Sequence, residues 1–395
     1  MKIHKLLVEQ VIYALEEIFD HGQYADKTIE RAMKHHRKWG SRDRKFFAET
    51  VYEILRWKRL LVELAGDTDY WKVFGAYFLR KGEELPDWEE FHGLTLAKVQ
   101  EREKKITNVA ISQSIPDWMY ERGLNEIGKD FDSIVRALNV PAEVYLRTNT
   151  LKIQPDELIK QFATEGVEVE KVSADLPLAL KMKERKNVFA TEAFKKGYFE
   201  VQDAASQMVA QLMDLEPGMR VVDACAGAGG KSLHIATFLK NKGKILSLDI
   251  HEWKLKELKT RAKRNGVDVI ETRVIDSNKV IKRLAESADR VLLDVPCSGI
   301  GVLRRNPDAK WKLSNEEIGR LEQLQFEILT TYSQMTKKGG KLVYATCSLL
   351  PSENERQVQK FMAENGEHWK LVKELHVRPD TDGYDGFYAA LLQRL

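Results

Sequence analysis

The chain lacks any apolar run of the ~18 residues that a membrane-spanning helix needs. Its opening, MKIHKLLVEQVIYALEE, has acids between the apolar positions, where a secretory signal would be unbroken. Neither membrane nor export is expected, and a cytoplasmic protein is. Cysteine is scarce. Three in 395 residues, with no Cys-x-x-Cys pair, make neither a disulfide framework nor a zinc site, and with scattered histidines no metal is expected. Charge of one sign is lacking too. The 63 Lys and Arg against 60 Asp and Glu leave +3, so any nucleic-acid contact must come from local clusters. Internal repeats and low-complexity tracts are absent. What remains is a 43% hydrophobic chain, long enough for two to three domains at ~150 residues each.

Residues 1–140 read as all-helical. Leu6, Leu7, Val11, Ile12, Leu15 and Ile18 recur at three- and four-residue steps, and Phe46, Phe47, Val51, Ile54 and Leu55 repeat the pattern. Residues 141–214 read as a small α/β module, with strands at Val144–Asn149, around Val167–Val169 and at Tyr198–Val201. A helix opening at Pro155 and one capped by Asp203 complete it. From residue 215 to 395 short apolar runs alternate with helical stretches. The runs are Val221-Val222, Ile245–Ile250, Val269-Ile270, Arg290–Asp294, Lys341–Ala345 and Phe387–Leu392. Buried runs separated by helices predict a doubly wound parallel sheet.

Ligands bind such sheets beyond the carboxyl ends of the strands. The first strand of that sheet ends in DACAGAGGKS, residues 223–232, whose small residues let a backbone approach a ligand. A P-loop would need glycine at 225, where Cys225 stands, and a G-x-G-x-x-G pattern would need it at 232, where Ser232 stands. Asp249 ends the second strand, where a carboxylate suits a ribose diol, and Asp276 repeats the geometry on the next. Acids at successive strand ends without a phosphate loop point to a nucleoside ligand such as S-adenosylmethionine. Asp294-Val-Pro-Cys297 and Ala345-Thr-Cys347 follow the next two strands, so all three cysteines fall at one rim. Two thiols beside an aspartate suit nucleophilic attack on an unsaturated carbon.

On these residues the chain resembles the Nop2/Sun family, in its RsmB type, of RNA cytosine-C5 methyltransferases. DACAGAGGKS, LDVPCSGIGVLRRNPDAKW and YATCSLLPSENE carry the likeness, with VYLRTNTLK and VQDAASQMVA upstream and DGFYAALL downstream. RDRKFFAETVYEILRW is similar to the family's N-terminal NusB-like domain. The resemblance implies a Rossmann-like class I methyltransferase sheet at 215–395. Before it would come an all-helical NusB-like RNA-binding domain at 1–140 and a small RNA-contacting module at 141–214. It implies S-adenosyl-L-methionine as cofactor, held by Cys225, Ala226, Gly227, Ala228, Gly229, Gly230 and Lys231 with Asp249, Asp276 and Asp294. It implies Cys347 as nucleophile, Cys297 as the thiol that assists product release, and Asp294 at the cytosine edge. The reverse assignment stays open, because DNA cytosine methyltransferases use a Pro-Cys cysteine as nucleophile. Gly227-Ala228 departs from the Ala-Pro commonest at that point of the loop.

The implied partner is RNA, small-subunit (16S) ribosomal RNA by the helical domain, acted on by a monomer. Candidate contacts are Lys34, Arg37, Lys38, Arg42, Arg44 and Lys45, then Arg304 and Arg305, then Arg147 and Asn149. Two other classes stay in view: a non-enzymatic RNA-binding protein on the same fold, and a P-loop hydrolase, which Cys225 disfavours.

Overall fold

A computed structural model describes residues 3–395 and resolves two compact units. One takes the chain up to Val140 together with Leu303–Asn315; the other takes Pro141–Val302 and Glu316–Leu395. Residues 303–315, which the pattern left with the sheet, thus belong to the helical unit.

That unit is all-helical. Lys5–Phe19 buries Leu7, Val8, Val11, Ile12, Leu15 and Ile18, one continuous face, against the 25-residue helix Ser41–Ala65. Asp43 accepts the Gly40 N–H at 3.2 Å to start the long helix, and Gly66 ends it at φ +63°. Phe47, Ile54, Leu55 and Phe74 are fully buried at its centre. The 303–315 segment is bound chiefly through backbone oxygens. The Trp311 indole donates to Leu55 O (2.7 Å), Lys310 Nζ to Arg56 O (2.7 Å), and Lys312 Nζ to Gln23 O (2.8 Å).

The second unit holds two sheets. The smaller is antiparallel, in the order β2-β3-β1-β4, from β1 (Tyr145–Thr148), β2 (Val169–Lys171), β3 (Ala179–Met182) and β4 (Phe199–Val201). As expected, Asp203 caps the following helix through Ala205 N at 2.9 Å. The larger sheet is Rossmann-like and seven-stranded. It comprises β5 (Arg220–Asp223), β6 (Lys244–Asp249), β7 (Ile270–Val274), β8 (Ala288–Asp294), β9 (Thr336–Thr346), β10 (Trp369–Val377) and β11 (Phe387–Arg394). Its order is β10-β11-β9-β8-β5-β6-β7, with β5 to β9 parallel and β10 and β11 antiparallel. The fold class follows the pattern-based expectation. Val222, Leu246, Leu293, Leu342 and Tyr344 fill one face of the sheet, and Val221, Ile245, Leu292 and Val343 the other. No helix among the described residues is long and apolar enough to cross a membrane.

Candidate active site

Strand order sets the site. β8 and β9 are neighbours, with Asp294 in register with Ala345, so the two loops that carry cysteine leave the sheet side by side. Cys297 Sγ and Cys347 Sγ stand 3.3 Å apart, each half-buried. Gly301 closes the arrangement. Its N–H donates to Cys347 O at 3.0 Å, and a Cβ there would lie 2.2 Å from Gly386 O and 2.7 Å from Cys347 O, so only glycine fits.

The proton between the sulfurs has a preferred owner. The hydrogen bond with Cys347 and burial hold the Cys297 thiol well above its ordinary range, with further charge effects from Cys347 and Glu353. The close contact thus favours the thiol form of Cys297. Beside them, Lys231 Nζ donates to Asp294 Oδ2 at 2.7 Å. Burial works against the Lys231 charge, but Asp294 and then Cys347 outweigh it and keep the ammonium. Cys225 is a different thiol. Burial first, and then Asp223, Asp294 and Asp249, push it up, and it packs against the sheet core.

The first loop fits a nucleoside cofactor. Asp249, at the end of β6, accepts the N–H of Gly227 (2.9 Å) and of His251 (2.8 Å), which fastens the loop across the strand ends. Gly229 caps the helix Gly230–Phe238 at φ +86°, and a Cβ there would meet Leu258 Cγ at 2.4 Å. On its other side the loop is open: among the described residues nothing lies within 4 Å of where a Cβ on Gly227 or Gly230 would stand. That is the cradle a close-lying ligand needs. Asp276 is exposed after β7 and accepts from Ser277 Oγ at 3.0 Å.

The sequence and the fold have counterparts among known proteins. A family model described as "16S rRNA methyltransferase RsmB/F" matches residues 210–393, and the RsmF/B-like ferredoxin-like domain matches 115–189. A Bacillus subtilis protein named "Probable ribosomal RNA small subunit methyltransferase B" is 37% identical over 312 residues, covering 74% of this chain and 69% of its own length. A Synechocystis protein of the same name is 32% identical over 397 residues, covering 90% and 88%. The chain belongs to the RsmB/F methyltransferase family. The crystal structure of PH0851 superposes with a TM-score of 0.82 at 27% identity, over 100% of this chain and 99% of that one. The cofactor of this RsmB/F enzyme is S-adenosylmethionine.

Several expected contacts need correction. Arg147 and Asn149 are 1% and 3% exposed and make no surface. Arg147 Nη1 donates to Gly230 O (2.6 Å), bracing the cofactor loop from below. Asn149 Nδ2 donates to Gly197 O (2.8 Å) and Asn265 O (2.9 Å). Arg304 is likewise buried, with Nε on Val140 O at 3.3 Å, and Arg305 is half-buried. In the Lys34–Lys45 stretch, Lys34, Arg37, Lys38, Arg42 and Lys45 are exposed. Arg44 is half-buried, its Nε on Trp39 O at 3.1 Å.

The sequence reading missed a basic groove of about 660 Å³ lined by Lys152, Lys195, Lys196, Tyr198, Lys263 and Arg264. Its lysines come from three separate segments and form no run. It also missed Asp223, which is pushed up to about 7, chiefly by burial, against the pull of the Ser232 hydroxyl. A carboxyl raised above its unfolded value of ~3.9 binds more protons when folded, so its contribution to stability is lost as pH rises from about 4 through about 7. Asp223→Asn should flatten that slope and gain on the order of 2 kcal/mol relative to the parent between pH 5 and 8. Thermal melts across that range test it; parallel profiles for the two proteins would refute the raised carboxyl.

Proposed function

We propose that this enzyme methylates C5 of a cytosine in RNA, most plainly small-subunit ribosomal RNA, acting as a monomer in the cytoplasm. The observation that carries the reading is the pair of sulfurs 3.3 Å apart beside the Lys231–Asp294 ion pair. C5 of cytosine is a weak nucleophile. Attack of the Cys347 sulfur on C6 breaks the C5–C6 π bond and makes C5 enamine-like. Asp294, held by Lys231, is set to hold the cytosine edge, while N3 takes a proton from solvent as charge develops there and returns it on elimination. When bound, S-adenosylmethionine supplies the electrophilic methyl group that C5 takes. The C5 proton must then leave; its electron pair restores the C5–C6 double bond and expels Cys347 as thiolate.

Cys297 is timed for that second half. While Cys347 is free, its hydrogen bond and charge keep the proton on Cys297. Once Cys347 is bonded to C6, both effects end, so Cys297 gives its proton to solvent more readily, and its thiolate then takes the C5 proton. The same logic favours Cys347 as nucleophile over the reverse assignment.

The target base must leave its stack to reach these sulfurs, so the RNA needs phosphate contacts around them. Lys195, Lys196 and Lys263 on the basic groove are candidates in the unit that carries the sulfurs, and the exposed Arg37, Lys38 and Arg42 are candidate RNA contacts of the helical unit taken by itself. Replacing Lys195, Lys196 and Lys263 together by alanine should raise KM for RNA about tenfold or more at moderate salt. It should also flatten the log–log salt dependence by roughly 0.7 per lost contact to a single strand. An unchanged slope would remove the groove from the path.

The deciding test of the function is transfer of labelled methyl from S-adenosylmethionine to small-subunit ribosomal RNA. Bisulfite mapping in cells with and without the protein accompanies it. One cytosine should lose its 5-methyl mark in the deletion. A mark on another base, or no protein-dependent mark, would overturn the reading.

A further inference from the structure

Beneath the two sulfurs lies an acid that the chemistry above does not use. Glu353 is fully buried, and among the described residues its four hydrogen-bond donors are all neutral. Ser298 N (2.8 Å) and Gln325 Nε2 (3.0 Å) donate to Oε1, while the hydroxyls of Ser298 and Ser348 (the latter at 2.5 Å) donate to Oε2. Ser298 follows Cys297 and Ser348 follows Cys347, so one carboxylate grips both cysteine loops at the residue next to the sulfur. Gln325 adds a second tie, donating also to Pro296 O at 2.9 Å. On the far side Tyr344, in β9, donates its hydroxyl to the Glu353 carbonyl at 2.7 Å, which anchors the acid to the sheet.

Burying a carboxylate with only neutral donors costs several kcal/mol against an apolar filling of the same space. Such a cost is borne where a geometry is required. We propose that Glu353 is the positioning residue of the thiol pair, locking the Pro-Cys-Ser and Thr-Cys-Ser loops together so that the two sulfurs face one another. Its negative charge has a second effect, since it is among the influences that keep the proton on Cys297. One side chain thus ties the two cysteine loops together and adds its charge to the stronger effects of Cys347 and burial on the Cys297 proton.

The turnover arm of the test rests on the cytosine-methylation reading; the thiol arm does not. In full-length protein without RNA, the rate of iodoacetamide labelling at Cys297 is followed against pH by mass spectrometry. Glu353→Gln should move the Cys297 midpoint down by about one pH unit as the charge is lost. Ser298→Ala with Ser348→Ala should leave that midpoint in place, because the charge stays. Both variants should lower kcat roughly tenfold to a hundredfold through misplaced sulfurs, with KM for RNA and S-adenosylmethionine affinity unchanged. Should Glu353→Gln fail to fold, the double serine variant still decides on kcat. Parental kcat in the double serine variant, or a parental Cys297 midpoint in folded Glu353→Gln, overturns the proposal. Labelling shifts as expected with no methyl transfer by the parent would leave Glu353 in place and strike the function instead.

Discussion

Cys347→Ala should abolish methyl transfer, with kcat falling on the order of 10⁴-fold or more, the scale on which removal of a covalent nucleophile acts. No neighbouring group can take over. The Cys225 thiol is half-buried against the sheet core and pushed up by burial, Asp223, Asp294 and Asp249, and the Cys297 thiol, 3.3 Å from Cys347, is held well above its ordinary range. Cys347→Ser should be nearly as inert, because a hydroxyl is a far weaker nucleophile without an adjacent base. Cofactor affinity should survive, since the cradle from Cys225 to Lys231 follows β5, while Cys347 follows β9. The fold should survive as well, because a half-buried thiol carries little packing. Calorimetry with S-adenosylmethionine and a thermal melt check both, so a dead variant can be assigned to lost chemistry. An active Cys347→Ala beside a dead Cys297→Ala would reverse the two roles.

Much of this site could be read from the chain because its chemistry sits where strands end. Apolar patterns locate those ends closely: β6 ends at Asp249 and β8 at Asp294, as expected. What pattern could not supply is adjacency. That Cys297 and Cys347 meet depends on β8 lying next to β9, a matter of sheet order and not of local sequence. Strand β10 escaped because it is an edge strand, exposed along most of its length, where Lys370, Lys373 and Glu374 flank its short Leu371-Val372 pair. The arginines misled for a related reason. A charged residue is most often solvated, yet Arg147 and Arg304 spend their donors on carbonyls inside the protein, which only tertiary structure reveals. Glu353 was invisible in the same way. Within Ser352-Glu-Asn-Glu355 nothing distinguishes the first glutamate from the second until the two serine loops converge on it.

Cys297→Ala should not be silent; it should stall the enzyme after methylation. The first half of the reaction needs Cys347, the Lys231–Asp294 pair and a flipped base, all still present, so the adduct forms and C5 is methylated. Release then requires loss of the C5 proton, and the group nearest to Cys347 has gone. The expected result is an RNA–protein species that survives denaturing electrophoresis, absent in the parent and absent again in the Cys297→Ala, Cys347→Ala double variant. Turnover should fall by roughly 10²–10⁴, the usual worth of a positioned proton-transfer group. The pH dependence separates this from a passive role. In the parent, Cys297 is easier to deprotonate once Cys347 is engaged, so release should quicken as pH rises through the Cys297 midpoint in the adduct. Without the thiol that limb should vanish, leaving slow release catalysed by solvent hydroxide alone. If the adduct instead clears at the parental rate, Cys297 merely fills space, and the proton held between the two sulfurs has no part in the chemistry.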